Sequence, residues 1–206
     1  SAGSQIQELI AAPQRVLVLK TDGVYDVTPF RAPNLTPSLA QAVTLNDHAA
    51  TLIGRVPGIL HDDHVYFGRG LSIDRYDLRL DGQQQRLPGD CSPWTYAQDG
   101  FPIRGWPTAF AEDQGGLLMA VWNPDNLTSY VVRGFDRRKI GVDIANPMVW
   151  HGAEVVIPPS AGVGKMITRM HVGSPYTASG TALQALKRYL WLGLLSTAGG
   201  APTIDY

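Results

Sequence analysis

Apolar residues in this chain come in short bursts, and Gly, Pro, Asn and Asp separate them. Runs such as Arg15-Val16-Leu17-Val18-Leu19, His64-Val65-Tyr66-Phe67-Gly68 and Leu117 to Trp122 have the length and bounding residues of β-strands. Helical periodicity is scarce. It is confined to Leu35 to Ala50, where Thr36 could cap a helix begun at Pro37, and to Thr181 to Arg188. The pattern predicts an all-β protein.

The bursts recur in order. A first apolar segment, a turn, a second segment carrying an aromatic and then a third make one unit. The units open near Ile6, Ile59, Thr108 and Ile167, at spacings of 53, 49 and 59 residues. Their second strands are predicted at Arg15 to Leu19, His64 to Gly68, Leu117 to Trp122 and Tyr189 to Gly193. The third strands are predicted at Val24 to Val27, Ser72 to Leu78, Thr128 to Val132 and Pro202 to Tyr206. Ala50 to Arg55, Trp94 to Gln98 and Met148 to Ile157 could supply fourth strands. A period of about 50 residues with three or four strands each predicts β-propeller-like blades. The blades fall near 5–55, 58–105, 107–158 and 165–206, in a single domain over 5–206. A β-sandwich is the alternative. Residues 1–4 look like a linker or tag remnant. The fourth unit reaches Tyr206 at its third strand, so a ring would be completed by further polypeptide or by a partner chain.

Composition narrows the function classes. Of 206 residues, 17 are basic and 18 acidic, with a formal charge of −1, so nothing steers the chain toward nucleic acid or an anionic membrane. Arg137-Arg138-Lys139 beside Gly141 reads as a solvated loop. No apolar run is long enough for membrane insertion as a helix. Cys91 is the only cysteine, so no internal disulfide forms, in keeping with folding in a reducing cytoplasm.

Candidate chemistry is thin. His61-Asp62-Asp63-His64 is the most metal-like cluster; on an extended strand positions 61 and 64 face opposite ways, a tight turn could bring them together, and Asp-Asp is commonly just a turn. No metal and no cofactor is expected. Gly162-Val163-Gly164-Lys165-Met166 resembles the end of a phosphate loop, yet Pro159 stands where the first Gly belongs and Met166 where Ser or Thr belongs. Cys91 has no His nearby and no nucleophile elbow occurs, so no catalytic residue is assigned and no enzyme activity is expected. Trp94, Tyr96, Phe101 and Trp106 gather among Pro, Gly and Asp as candidate binding aromatics for a sugar ring or a protein, or as wedges between blades. Asn34-Leu35-Thr36 and Asn126-Leu127-Thr128 match the glycosylation triplet.

Several stretches together resemble a known style of domain. Arg15 to Val27 is similar to the opening hairpin of propeller domains in bacteriophage tail proteins. Val149-Trp150-His151-Gly152 followed by an extended strand and then Ile167-Thr168-Arg169-Met170 resembles their inter-blade passage, and Tyr189-Leu190-Trp191-Leu192-Gly193 followed by Thr203-Ile204-Asp205-Tyr206 is similar to their pattern of apolar residues, Trp, a small residue and then a strand. Val172 to Arg188 departs from the compact pattern. The resemblance implies a virion structural protein of a tail tip, baseplate or fibre. Its partners would be other tail or virion proteins in an oligomeric assembly, with a host-surface glycan or receptor as a further partner. The alternative is a carbohydrate-binding module or a propeller glycosidase.

Overall fold

The computed structural model describes residues 6–13, 15–20, 23–26, 57–62, 64–69, 72–77, 86–87, 105–136, 148–173 and 188–197. These residues form strands and turns, and every strand pair is antiparallel. The two helical candidates lie outside the described residues, apart from Arg188, which is not helical.

Four sheets follow one another along the chain. The first holds β1 (Ile6–Ala12), β2 (Arg15–Lys20) and β3 (Gly23–Asp26). The second holds β4 (Gly58–His61), β5 (His64–Arg69), β6 (Ser72–Asp77) and β7 (Arg86–Leu87). The third holds β8 (Trp106–Asp113), β9 (Gly116–Asn123), β10 (Thr128–Asp136) and β11 (Met148–Ile157). The fourth pairs β12 (Lys165–Gly173) with β13 (Tyr189–Ser196). In each sheet the strands pair in chain order. The four segments expected to open the units are the first strands of the four sheets. The expected fourth strand at Met148 to Ile157 is β11. In the second sheet the fourth position is taken by Arg86–Leu87, while Trp94 to Gln98, Ala50 to Arg55 and Pro202 to Tyr206 lie outside the described residues.

The side-chain period of two explains how the sheets stack. The third sheet is apolar on both faces. Phe110, Leu117, Met119, Val121 and Val132 meet Tyr66 and Ile73 of the second sheet. Ala109, Ala111, Leu118, Ala120 and Val131 meet Ile167, with Met170, Leu190, Leu192 and Leu194 of the fourth sheet packed around them. With a covered sheet on each side, β9 reads as an unbroken apolar run and is buried from Gly116 to Trp122. The first sheet sits against the second at Gly58, where a Cβ would fall 2.6 Å from Leu19 Cδ2 and 3.0 Å from Ile10 Cδ1. The first strands are neighbours in chain order: β4 lies against β1 and β8, and β12 lies against β8. Arg169 Nη1 of β12 also donates to Glu8 Oε2 of β1 at 3.0 Å.

A simple face rule follows from the register. The hairpins close at Ala12–Arg15, His61–His64, Asp113–Gly116 and Gly173–Tyr189. Two residues into each second strand stand Leu17, Tyr66, Leu118 and Trp191. In the first three sheets that side of the strand turns toward the following sheet. In the fourth no described sheet follows, and Trp191 is 44 % exposed. The aromatic residues of the second strands therefore do not share one environment: Trp122 is 3 % exposed and Trp191 lies on the open face.

Three first strands carry a bulge near their start, between Ile6 and Glu8, Pro107 and Ala109, and Ile167 and Arg169. The residue skipped in β8 is Thr108 and in β12 is Thr168. Each donates its hydroxyl to a carbonyl of the second strand, Ala120 at 3.5 Å and Gly193 at 3.2 Å.

Candidate functional site

Of the four candidate binding aromatics, Trp94, Tyr96 and Phe101 lie outside the described residues, as does Cys91. Trp106 is the first residue of β8, half-buried, and directly opposite Trp122 in register. It is a strand residue at a sheet edge rather than part of a loop.

The His61–His64 segment is shaped by its turn. The two histidines are paired across β4 and β5, so both project to one face, and Asp62 takes a positive φ of 48°. Extended-strand geometry does not apply, because the hairpin intervenes between them. That face is turned toward the third sheet, and both rings are buried, at 1 % and 2 % exposure. His64 Nδ1 stands 2.5 Å from the Asp62 carbonyl. His61 is flanked by two carboxylates: Asp62 Oδ2 is 3.2 Å from Nε2 and Glu112 Oε1 of β8 is 3.3 Å from Nδ1. These are ion-pair distances without hydrogen-bond alignment, since neither ring nitrogen has a hydrogen-bond partner. Among the described residues no three His, Cys, Asp or Glu side chains group as metal ligands.

The same face of the second sheet holds a residue that sequence reasoning passed over. Arg75 of β6 lies directly opposite Tyr66 and is 4 % exposed, with Nε and Nη1 buried and unpartnered. The Tyr66 ring lies 6.1 Å from the His61 ring and 6.4 Å from that of His64. Three basic side chains and a tyrosine thus share one buried face. In the sequence Arg75 sits in Ser-Ile-Asp-Arg-Tyr-Asp, two residues from Ile73, where a charged residue reads as solvated.

The glycine-rich segment before β12 is a turn. Ala161 and Gly162 both have positive φ, and Ser160 and Val163 exchange backbone hydrogen bonds of 2.9 Å. Gly164 N donates to Thr197 Oγ1 at 3.1 Å. The amides of Ser160, Val163 and Gly164 are therefore occupied, and a phosphate cradle is not formed by them. Gly164 is needed for another reason: a Cβ there would lie 2.3 Å from Trp122 Cη2. Asn126 is engaged within its turn, accepting from Thr128 N at 3.1 Å and donating to Tyr130 Oη at 3.0 Å.

One charge network ties the third and fourth sheets. Arg133 of β10 reaches Asp113 Oδ2 at 3.1 Å and Glu154 Oε2 at 3.0 Å, and Arg188, next to β13, reaches Asp113 Oδ1 at 3.0 Å. Burial pushes the Asp113 carboxyl up, but hydrogen bonds from Arg188 and Arg133, with their charges, outweigh it and hold it below the ordinary value of 3.8. A lowered carboxyl contributes stability that is complete above its unfolded value and lost as pH falls through the folded one. Acid melts of the parent and Asp113→Asn should therefore converge below pH 3.8, with the variant less stable at neutral pH. A constant gap between the two across that range would remove the network from the stability of the fold.

Outward, the fourth sheet shows Tyr189 and Trp191, 45 % and 44 % exposed, with ring centroids 6.4 Å apart and planes at 46°. Among the described residues no helix is long and apolar enough to cross a membrane. No family model, curated protein or solved structure matches the chain.

Proposed function

We propose that the chain is a run of propeller-type blades that serves as a non-enzymatic interaction scaffold. The order of packing is the observation that carries this reading. Three meanders and a two-stranded sheet succeed one another, each first strand lies beside its predecessor's, and the third sheet is covered on both faces by its sequence neighbours. A two-layer sandwich buries one face of each sheet; serial stacking buries two, as blades require. The open aromatic face of the fourth sheet supplies a surface for the scaffold to use.

The setting we infer is the bacteriophage tail. The chain would fold in the host cytoplasm and be carried in the virion beside other tail proteins. This part rests on the resemblance of Arg15 to Val27 and Tyr189 to Gly193 to tail propeller domains. Mass spectrometry of purified tails should find peptides of this chain in fixed proportion to the other tail proteins. Their absence from washed particles, with presence in the lysate, would overturn the assignment. The tilted Tyr189–Trp191 pair favours the second reading, a carbohydrate-binding module, because such rings can stack on sugars. Glycan retention abolished by Trp191→Ala would decide for it.

A further inference from the structure

Arg75 shares the parity of Ile73 on β6, so it lies on the face that meets the third sheet. A guanidinium stays charged in proteins and has donors only. Burying it without a counter-charge is strongly unfavourable. Yet Arg75 is 4 % exposed, and its Nε and Nη1 have no acceptor. Among the described residues no carboxylate is paired with it. Tyr66 faces it across the strand pair, and the rings of His61 and His64 lie 6.1 Å and 6.4 Å from that of Tyr66. Asp62 and Glu112 flank His61.

We propose that Arg75 anchors an oxyanion-binding site on the buried face of the second sheet, taking a carboxylate or a phosphate group. The planar, multi-donor guanidinium is the side chain whose geometry matches both. The bound anion supplies the acceptors that Nε and Nη1 lack. It also neutralises a charge lying between two sheets, so the ligand stabilises the folded chain by mass action.

The test uses the full chain in thermal melts at constant ionic strength, with chloride replaced stepwise by acetate or by inorganic phosphate. The melting temperature should rise by a few degrees and saturate in at least one of the two. A response to phosphate alone assigns a tetrahedral anion, and a response to acetate assigns a carboxylate. Arg75→Met should lose the response; general salt effects on stability would persist in it and so cancel in the comparison. Should Arg75→Met not fold, Arg75→Lys, which keeps the charge and loses the planar fork, should show a weakened response. Identical melts of the parent in chloride, acetate and phosphate would overturn the proposal. So would a full response retained in Arg75→Met.

Discussion

Trp122→Ala is expected to leave a chain that is insoluble or strongly destabilised, whereas Trp191→Ala leaves the melting temperature close to that of the parent. Both tryptophans sit on second strands, but their surroundings differ. Trp122 is 3 % exposed, paired with Trp106 on β8, and packed so closely on Gly164 that no side chain fits there. Truncating a buried tryptophan costs about 3–5 kcal/mol, against a total stability of roughly 5–15 kcal/mol. Gly164→Ala should destabilise from the other side, because its methyl group would displace the same ring, at about 1–3 kcal/mol for overpacking. Trp191 is 44 % exposed, so its removal opens no cavity. Urea or thermal melts of the three variants check the set. A Trp122→Ala chain melting within a degree or two of the parent would mean that the third and fourth sheets are not held together at this point.

Tyr66→Ala is expected to be comparably damaging, at about 3–5 kcal/mol, through the opposite face of the third sheet. Tyr66 is 0 % exposed and packs with Ile73 against Phe110, Leu117, Met119 and Val121. Its loss should separate the second sheet from the third, and Trp122's loss the third from the fourth. The two rings belong to different contacts on opposite sides of one sheet. The milder pair Tyr66→Leu and Trp122→Leu should therefore add within about 0.5 kcal/mol in a double-mutant cycle. A coupling well above that value would mean that the two faces of the third sheet respond as one unit.

Much of this architecture is legible in the amino-acid order. First strands begin where Gly, Pro and Asp release the chain into apolar runs, and β1, β4, β8 and β12 lie at the expected places. Met148 to Ile157 is legible for the same reason, as a run bounded by Pro147 and Pro158. What sequence cannot carry is the identity of the neighbour on each face. Trp191 and Trp122 look alike as letters, and only the presence or absence of a following sheet distinguishes them. Arg75 is hidden by the reverse effect. A charged residue on β6 reads as solvent-facing, while the third sheet covers the face it shares with Ile73. His61 and His64 come to one side because a turn with a left-handed Asp62 lies between them, the alternative that an Asp-Asp turn leaves open in the sequence.

The bulges at the starts of β1, β8 and β12 have a consequence for solubility. Each of these strands is the edge of its sheet, with a row of backbone donors and acceptors that another chain could extend. A bulge breaks the straight ladder and sharpens the local twist, so a foreign strand cannot stay in register along it. In β8 and β12 the Thr108 and Thr168 hydroxyls fix the break by bonding to the second strand. The remaining first strand, β4, is only four residues long and offers little to copy. A protein assembled from many short sheets multiplies its edges, and here each first-strand edge is bent or brief, which guards the chain against runaway strand-to-strand aggregation.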